Sequence, residues 1–196
     1  LDRINVWLER MPFTQKENFN FWDEYEKVIN LMLERDRKII EENLATLPEK
    51  VKEANLANLE GTKRTFASLF DKEIHKELID SGKRKLSQRA TLNALFILLY
   101  RDEPLLQIPY RFLTCLMDID ENFTTWRYRH ALMAQRMLGS KIGTGGSSGH
   151  NYLKMAAENN RVYEDLFNLS TFLISRKELP ILPKELKQDL NFSFKG

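Results

Sequence analysis

From Pro109 to Met137 the apolar residues fall at alternating steps of four and three: Phe112, Leu116, Ile119, Phe123, Trp126, His130, Met133 and Met137. Only an α-helix brings such positions onto one face. At 1.5 Å per residue, a helix of about 28 residues is roughly 42 Å long. An element of that length dictates helical neighbours, and the stripe predicts that this face turns inward. Pro109 suits the first helical turn and Gly139 a stop. One member of the stripe is not apolar. His130 sits one turn after Trp126 and one turn before Met133 and Ala134.

The rest of the chain also reads as helical. Leu1, Ile4, Leu8 and Met11 already mark a helix face, so the chain begins inside a folded element and is expected to be a partial or processed product. A second helix runs from Asn18 to Leu44 through Phe21, Tyr25, Val28, Met32, Ile39 and Ile40. Pro48 breaks it, and a charged helix follows through Val51, Leu56, Leu59, Phe66, Leu69 and Phe70. A shorter one carries Ile74, Leu78 and Ile79 and stops at Gly82. Ser87 is placed to cap the helix Ala90–Tyr100, whose run Leu92 to Leu99 is apolar nearly all round and therefore central. No strand signal stands out. The expected class is all-α, a helical bundle with a smaller protruding lobe. Residues 1–26 with 86–180 form the main body, 27–85 the lobe and 181–196 a tail.

Composition excludes several function classes. Thirty basic and 28 acidic residues leave a net charge of +2, which argues for neither nucleic acid nor membrane surface as partner. No apolar run reaches the roughly 18 residues of a membrane span. Cys115 is the only cysteine, which favours a reducing, cytoplasmic setting and reads as a small core residue. Asp118 and Asp120 lie about 200° apart on a helix and read as surface or capping carboxylates, not as a catalytic pair.

Four of the eight glycines fall in one heptad, Gly143-Thr144-Gly145-Gly146-Ser147-Ser148-Gly149. Glycine admits close backbone approach, and the three hydroxyls both donate and accept. The heptad lacks the Gly-Lys-Ser/Thr of a phosphate loop and the preceding strand of a dinucleotide or hydrolase turn. It reads as a polar loop able to fold over a small ligand. A histidine on an apolar stripe is ordinarily a satisfied core residue. The functional alternative is an iron ligand. Zinc needs three or four ligands, and His75, His130 and His150 show no such spacing. Haem needs a single axial imidazole in an apolar helical pocket, which the stripe offers. A cofactor-free helical interaction module is the rival reading. It rests on the charged helices Asn18 to Gly82.

Seven segments together carry a resemblance to a known family. They are Phe19-Asn20-Phe21-Trp22, Arg101-Asp102-Glu103-Pro104, Leu116-Met117-Asp118-Ile119-Asp120, Thr125-Trp126-Arg127-Tyr128-Arg129-His130, Arg136-Met137-Leu138-Gly139, the glycine heptad and Asp165-Leu166-Phe167-Asn168-Leu169-Ser170-Thr171. The chain resembles tryptophan 2,3-dioxygenase from residue 1 to about residue 180. The resemblance implies a haem b enzyme that inserts both atoms of O₂ across the indole C2–C3 bond of L-tryptophan. The product is N-formylkynurenine, the first step of the kynurenine pathway. It matches His130 to the axial iron ligand, and Thr144 to the residue that contacts the substrate ammonium near a haem propionate. Gly143 and Gly145 match the backbone lying close over ligand and haem edge. Trp126, with Arg129 or Arg136, is placed by spacing to line the same side of the haem. The resemblance also implies a homotetramer. Its distal histidine, phenylalanine and arginine fall N-terminal to Leu1, so this chain is expected to supply the axial ligand and covering loop, and to be inactive without that N-terminal portion.

Overall fold

The computed structural model describes residues 1–16, 18–43, 48–138, 155 and 161–191. The glycine heptad, with Gly143, Thr144 and Gly145, and His150 fall outside these. The fold is all-α, with α1 (Asp2–Glu9), α2 (Phe21–Asn43), α3 (Glu49–Phe70), α4 (Lys72–Asp80), α5 (Gln88–Leu99), α6 (Gln107–Leu138), α7 (Glu164–Asn168) and α8 (Lys184–Asp189). One small departure from the sequence expectation is an antiparallel pair of two-residue strands, Gln15–Lys16 with Phe19–Asn20. Two residues per strand are too few for a hydrophobic alternation, so no sequence pattern announced it.

The chain divides into two compact units, one comprising residues 1–107 and 169–196, the other residues 108–168. The first is organised around α5, in which every residue from Ala90 to Leu99 is buried. The apolar run is therefore central, as expected. Ser87 caps this helix by accepting the Ala90 N–H at 3.2 Å, donates to Glu9 at 2.5 Å, and receives α1 through its own N–H to Asn5 at 2.8 Å. Asn93 is fully buried and satisfied, donating to the Leu8 carbonyl at 2.7 Å and accepting from Thr14 at 3.1 Å. An aromatic cluster joins α2 to α5: Phe21 meets Phe96 edge-on at 4.9 Å and stacks with Tyr25 at 5.4 Å.

Helix ends follow their local chemistry. Pro48 immediately precedes α3. Gln88 donates to the terminal carbonyls of α3, Leu69 at 2.8 Å and Phe70 at 2.9 Å. Asp71 caps α4 by accepting from Glu73 and Ile74. Gly82, at φ +72°, ends that segment in the left-handed region where a side chain is disfavoured.

The second unit is built on α6. Its buried line is Leu113, Asp120, Thr124 and Ala131. The stripe expected to face inward is exposed instead: Phe112 44%, Ile119 42%, Phe123 54%, Trp126 60%, Met133 51% and Met137 76%. The two lines differ by one residue, about 100° around a helix. Periodicity identified an apolar face but not which face this chain itself covers.

Candidate functional site

The site is the exposed apolar face of α6 around His130. Helical spacing places Phe123, Trp126, His130, Met133 and Met137 on successive turns of that face. His130 is half-buried, not buried as its place in an inward stripe implied. Its imidazole stacks on the Trp126 indole one turn earlier, with centroids 5.4 Å apart and planes 15° from parallel. Neither ring nitrogen has a hydrogen-bond partner among the described residues. A core histidine is ordinarily satisfied on both nitrogens. His130 is not, so it presents a donor or lone pair to whatever meets this face.

His75 supplies the contrast. It is buried, with Nε2 3.0 Å from the Leu86 carbonyl and Nδ1 3.0 Å from an Arg84 guanidinium nitrogen. It is a structural histidine in the ordinary sense.

The acidic residues and the cysteine take other places. Asp120 is buried, and its carboxylate accepts the Tyr163 N–H at 2.9 Å, tying the segment before α7 onto α6. The reading of Asp120 as a surface carboxylate fails for this reason, although its capping chemistry survives. Asp118 is exposed. Cys115 is exposed rather than core, because it lies on the same face as Phe112 and Ile119. Arg129 and Arg136, seven residues apart, share a neighbouring exposed face.

No group of three or more His, Cys, Asp or Glu side chains among the described residues could hold a metal ion. His130 beside Trp126, on a face with Phe123 and Met133, suits a group that needs one protein nitrogen and an apolar wall. A haem is such a group. His130 offers the nitrogen, and Trp126, Phe123 and Met133 offer the wall. An open groove of about 800 Å³ between α2 and α3 is lined by Leu33, Leu56 and Leu59 with Glu34, Arg37, Glu60 and Lys63. Its charges are of both signs and do not converge on a point, and it contains none of the expected site residues. No helix among the described residues is long and apolar enough to cross a membrane.

Fold and site together define an all-α protein whose site presents an imidazole without a hydrogen-bond partner among the described residues, on an aromatic- and methionine-rich helix face. Comparison with known proteins makes this specific. The family model for tryptophan 2,3-dioxygenase matches residues 1–173. The chain is 49% identical over 193 residues to a tryptophan 2,3-dioxygenase of Bdellovibrio bacteriovorus, covering 98% of this chain and 54% of that protein. It is 43% identical to one from Alteromonas mediterranea, covering 96% and 52%, and 46% identical to tryptophan 2,3-dioxygenase A of Danio rerio, covering 93% and 44%. The chain belongs to the tryptophan 2,3-dioxygenase family. It spans about half the length of the relatives it matches.

Proposed function

We propose that this chain provides the iron-ligating half of a haem-dependent dioxygenase acting on L-tryptophan and O₂, giving N-formylkynurenine. The observation that carries the reading is His130: a histidine with no hydrogen-bond partner among the described residues, stacked on Trp126, in an exposed apolar face of a family member. When bound, haem b supplies the O₂ activation. The chain's own residues position and enclose. His130 would hold the haem iron through one ring nitrogen, and the Trp126 stack restricts its ring to one plane. Phe123 and Met133 exclude water from that side.

Thr144, with Gly143 and Gly145, is assigned the substrate ammonium. A hydroxyl can accept from an ammonium, and glycines leave room for backbone approach. None of these groups acts as a general base, so the task is orientation in a dry pocket. The face around His130 is too exposed to be such a pocket by itself, so the remaining length of the family is its other wall. The active form in this reading is the chain together with that portion, and its family membership supports a homotetramer, with the cytoplasm as its location. Residues 27–85 are its small helical lobe.

The test is a haem Soret band in the chain co-purified with the complementing portion of a relative. The band is expected in the parent and lost in His130→Ala. A band that survives His130→Ala overturns the axial assignment. Absence of haem from the parent complex leaves the cofactor-free interaction module.

A further inference from the structure

We propose that the first half of α6, Ile108 to Phe123, is the seam that docks the portion of the family's length lying outside this chain, and that it does so independently of haem. The proposal rests on membership of the family but not on the axial role of His130. Ile108 is 73% exposed, Ile119 42% and Phe123 54%, with Phe112 at 44%. With Cys115 they stand at steps of four, three, four and four on one helix face. The charged neighbours Arg111, Asp118 and Glu121 are exposed beside this line. An apolar row between charged flanks is what a packed helix partner requires, and a solvated helix normally avoids it.

A cofactor held at His130 does not account for the row. Ile108 lies 22 residues before His130, about 33 Å along the axis. A protein surface must cover that end. The relatives carry roughly as much chain again as this one, and they carry it on the same polypeptide. A surface that these relatives carry on the same polypeptide, with enough length to run beside the 16 residues from Ile108 to Phe123, is the occupant to which the row is matched. It is expected to present an amphipathic helix with apolar residues at heptad-like spacing.

Cys115 makes the test direct, because it is the only cysteine of the chain and sits exposed between Phe112 and Ile119. The full chain, alone and co-expressed with the part of the Bdellovibrio bacteriovorus relative outside the match, is treated with N-ethylmaleimide without added haem. Modification of Cys115 is followed by mass spectrometry. The thiol is expected to react rapidly in the chain alone and at least tenfold more slowly in the pair. Ile108→Asp and Ile119→Asp alter exposed positions away from His130, so each should leave the circular dichroism of the lone chain unchanged and abolish the protection. Equal rates with and without the partner, or protection indifferent to both substitutions, overturn the proposal. Protection in the lone chain that rises with its own concentration assigns the seam to a second copy instead and also overturns it. A Soret band is read separately: protection without haem fails only the function reading, and haem without protection fails only the seam.

Discussion

The Trp126 indole lies nearly parallel to the His130 imidazole, with centroids 5.4 Å apart and an angle of 15° between planes. Stacking at i and i+4 uses the helix itself to aim the imidazole, since both rings project from consecutive turns of α6. Trp126 is 60% exposed, so little of the fold depends on it.

That separation of roles gives the first prediction. Trp126→Ala should shift the melting temperature of the chain by no more than about 2 °C, the range of a surface substitution. In the complex with the complementing portion it should weaken haem binding several-fold, because the ring must then be ordered on binding. Trp126→Phe should recover most of the affinity. Haem titration followed at the Soret band is the measurement, and equal affinity in all three proteins would remove the stack from the site.

A second prediction concerns Arg84. One guanidinium nitrogen lies 3.1 Å from the Ser68 carbonyl and 3.0 Å from His75 Nδ1, two acceptors that approach each other to 3.3 Å. A guanidinium can only donate, so Nδ1 accepts, and the ring proton is on Nε2, donated to Leu86. Arg84 thus separates two groups that would otherwise meet lone pair to lone pair, and its cation also lies over the Phe172 ring at 5.8 Å. Arg84→Met should cost about 1–3 kcal/mol in denaturant unfolding, the range for a buried acceptor left without its donor. His75→Leu in that background should recover part of the loss, because it removes one of the two orphaned acceptors.

What the sequence revealed and what it concealed have one physical origin. The ten residues Ala90 to Leu99 are apolar or buried on all sides, and their own composition required a central helix. Ser87, Pro48 and Gly82 are terminus chemistry confined to a few residues, and each was readable where it stands. The orientation of α6 was not. Its richest apolar line, Phe112 to Met137, is exposed, and the buried line carries Asp120 and Thr124. Burial depends on which surface meets the helix, and the spacing of apolar residues along one helix does not name that surface. The burial expected of Cys115 and His130 differs from what is observed for the same reason. The Asp120–Tyr163 tie joins residues 43 apart, and no local signal marks it.

Alkaline pH should destabilise the first unit through two tyrosines. Tyr25 donates to the Phe172 carbonyl and Tyr100 to the Pro180 carbonyl. Burial raises both hydroxyls well above their ordinary value near 10, helped by Tyr100 beside Tyr25 and by Glu103 beside Tyr100. The unfolded chain then loses these protons at a lower pH than the folded chain. Stability is intact below pH 10 and falls above it, at about 1.4 kcal/mol per pH unit for each tyrosine. Urea midpoints measured between pH 9 and 11.5 should therefore decline with a slope that Tyr25→Phe and Tyr100→Phe each reduce. An unchanged slope in the double variant would assign the decline to other groups.

The Asp120 carboxylate should be what keeps the segment before α7 against α6. It is 3% exposed and accepts the Tyr163 N–H, while Thr124 donates to its backbone carbonyl at 2.9 Å. Its charge is costly to bury, so the tie must carry a compensating hydrogen bond. Asp120→Ala removes the acceptor and leaves a part-buried amide unmet, a loss of about 1–3 kcal/mol. Asp120→Asn keeps an acceptor oxygen in the same place without the charge, and should lose less than half as much. The local reading is hydrogen exchange at the Tyr163 amide. It should be protected in the parent, partly protected in Asp120→Asn and fast in Asp120→Ala, while amides in α5 keep their protection in all three. If exchange at Tyr163 were the same in every variant, the segment would be held by its apolar contacts, Leu166 foremost among them, and the carboxylate would need another explanation.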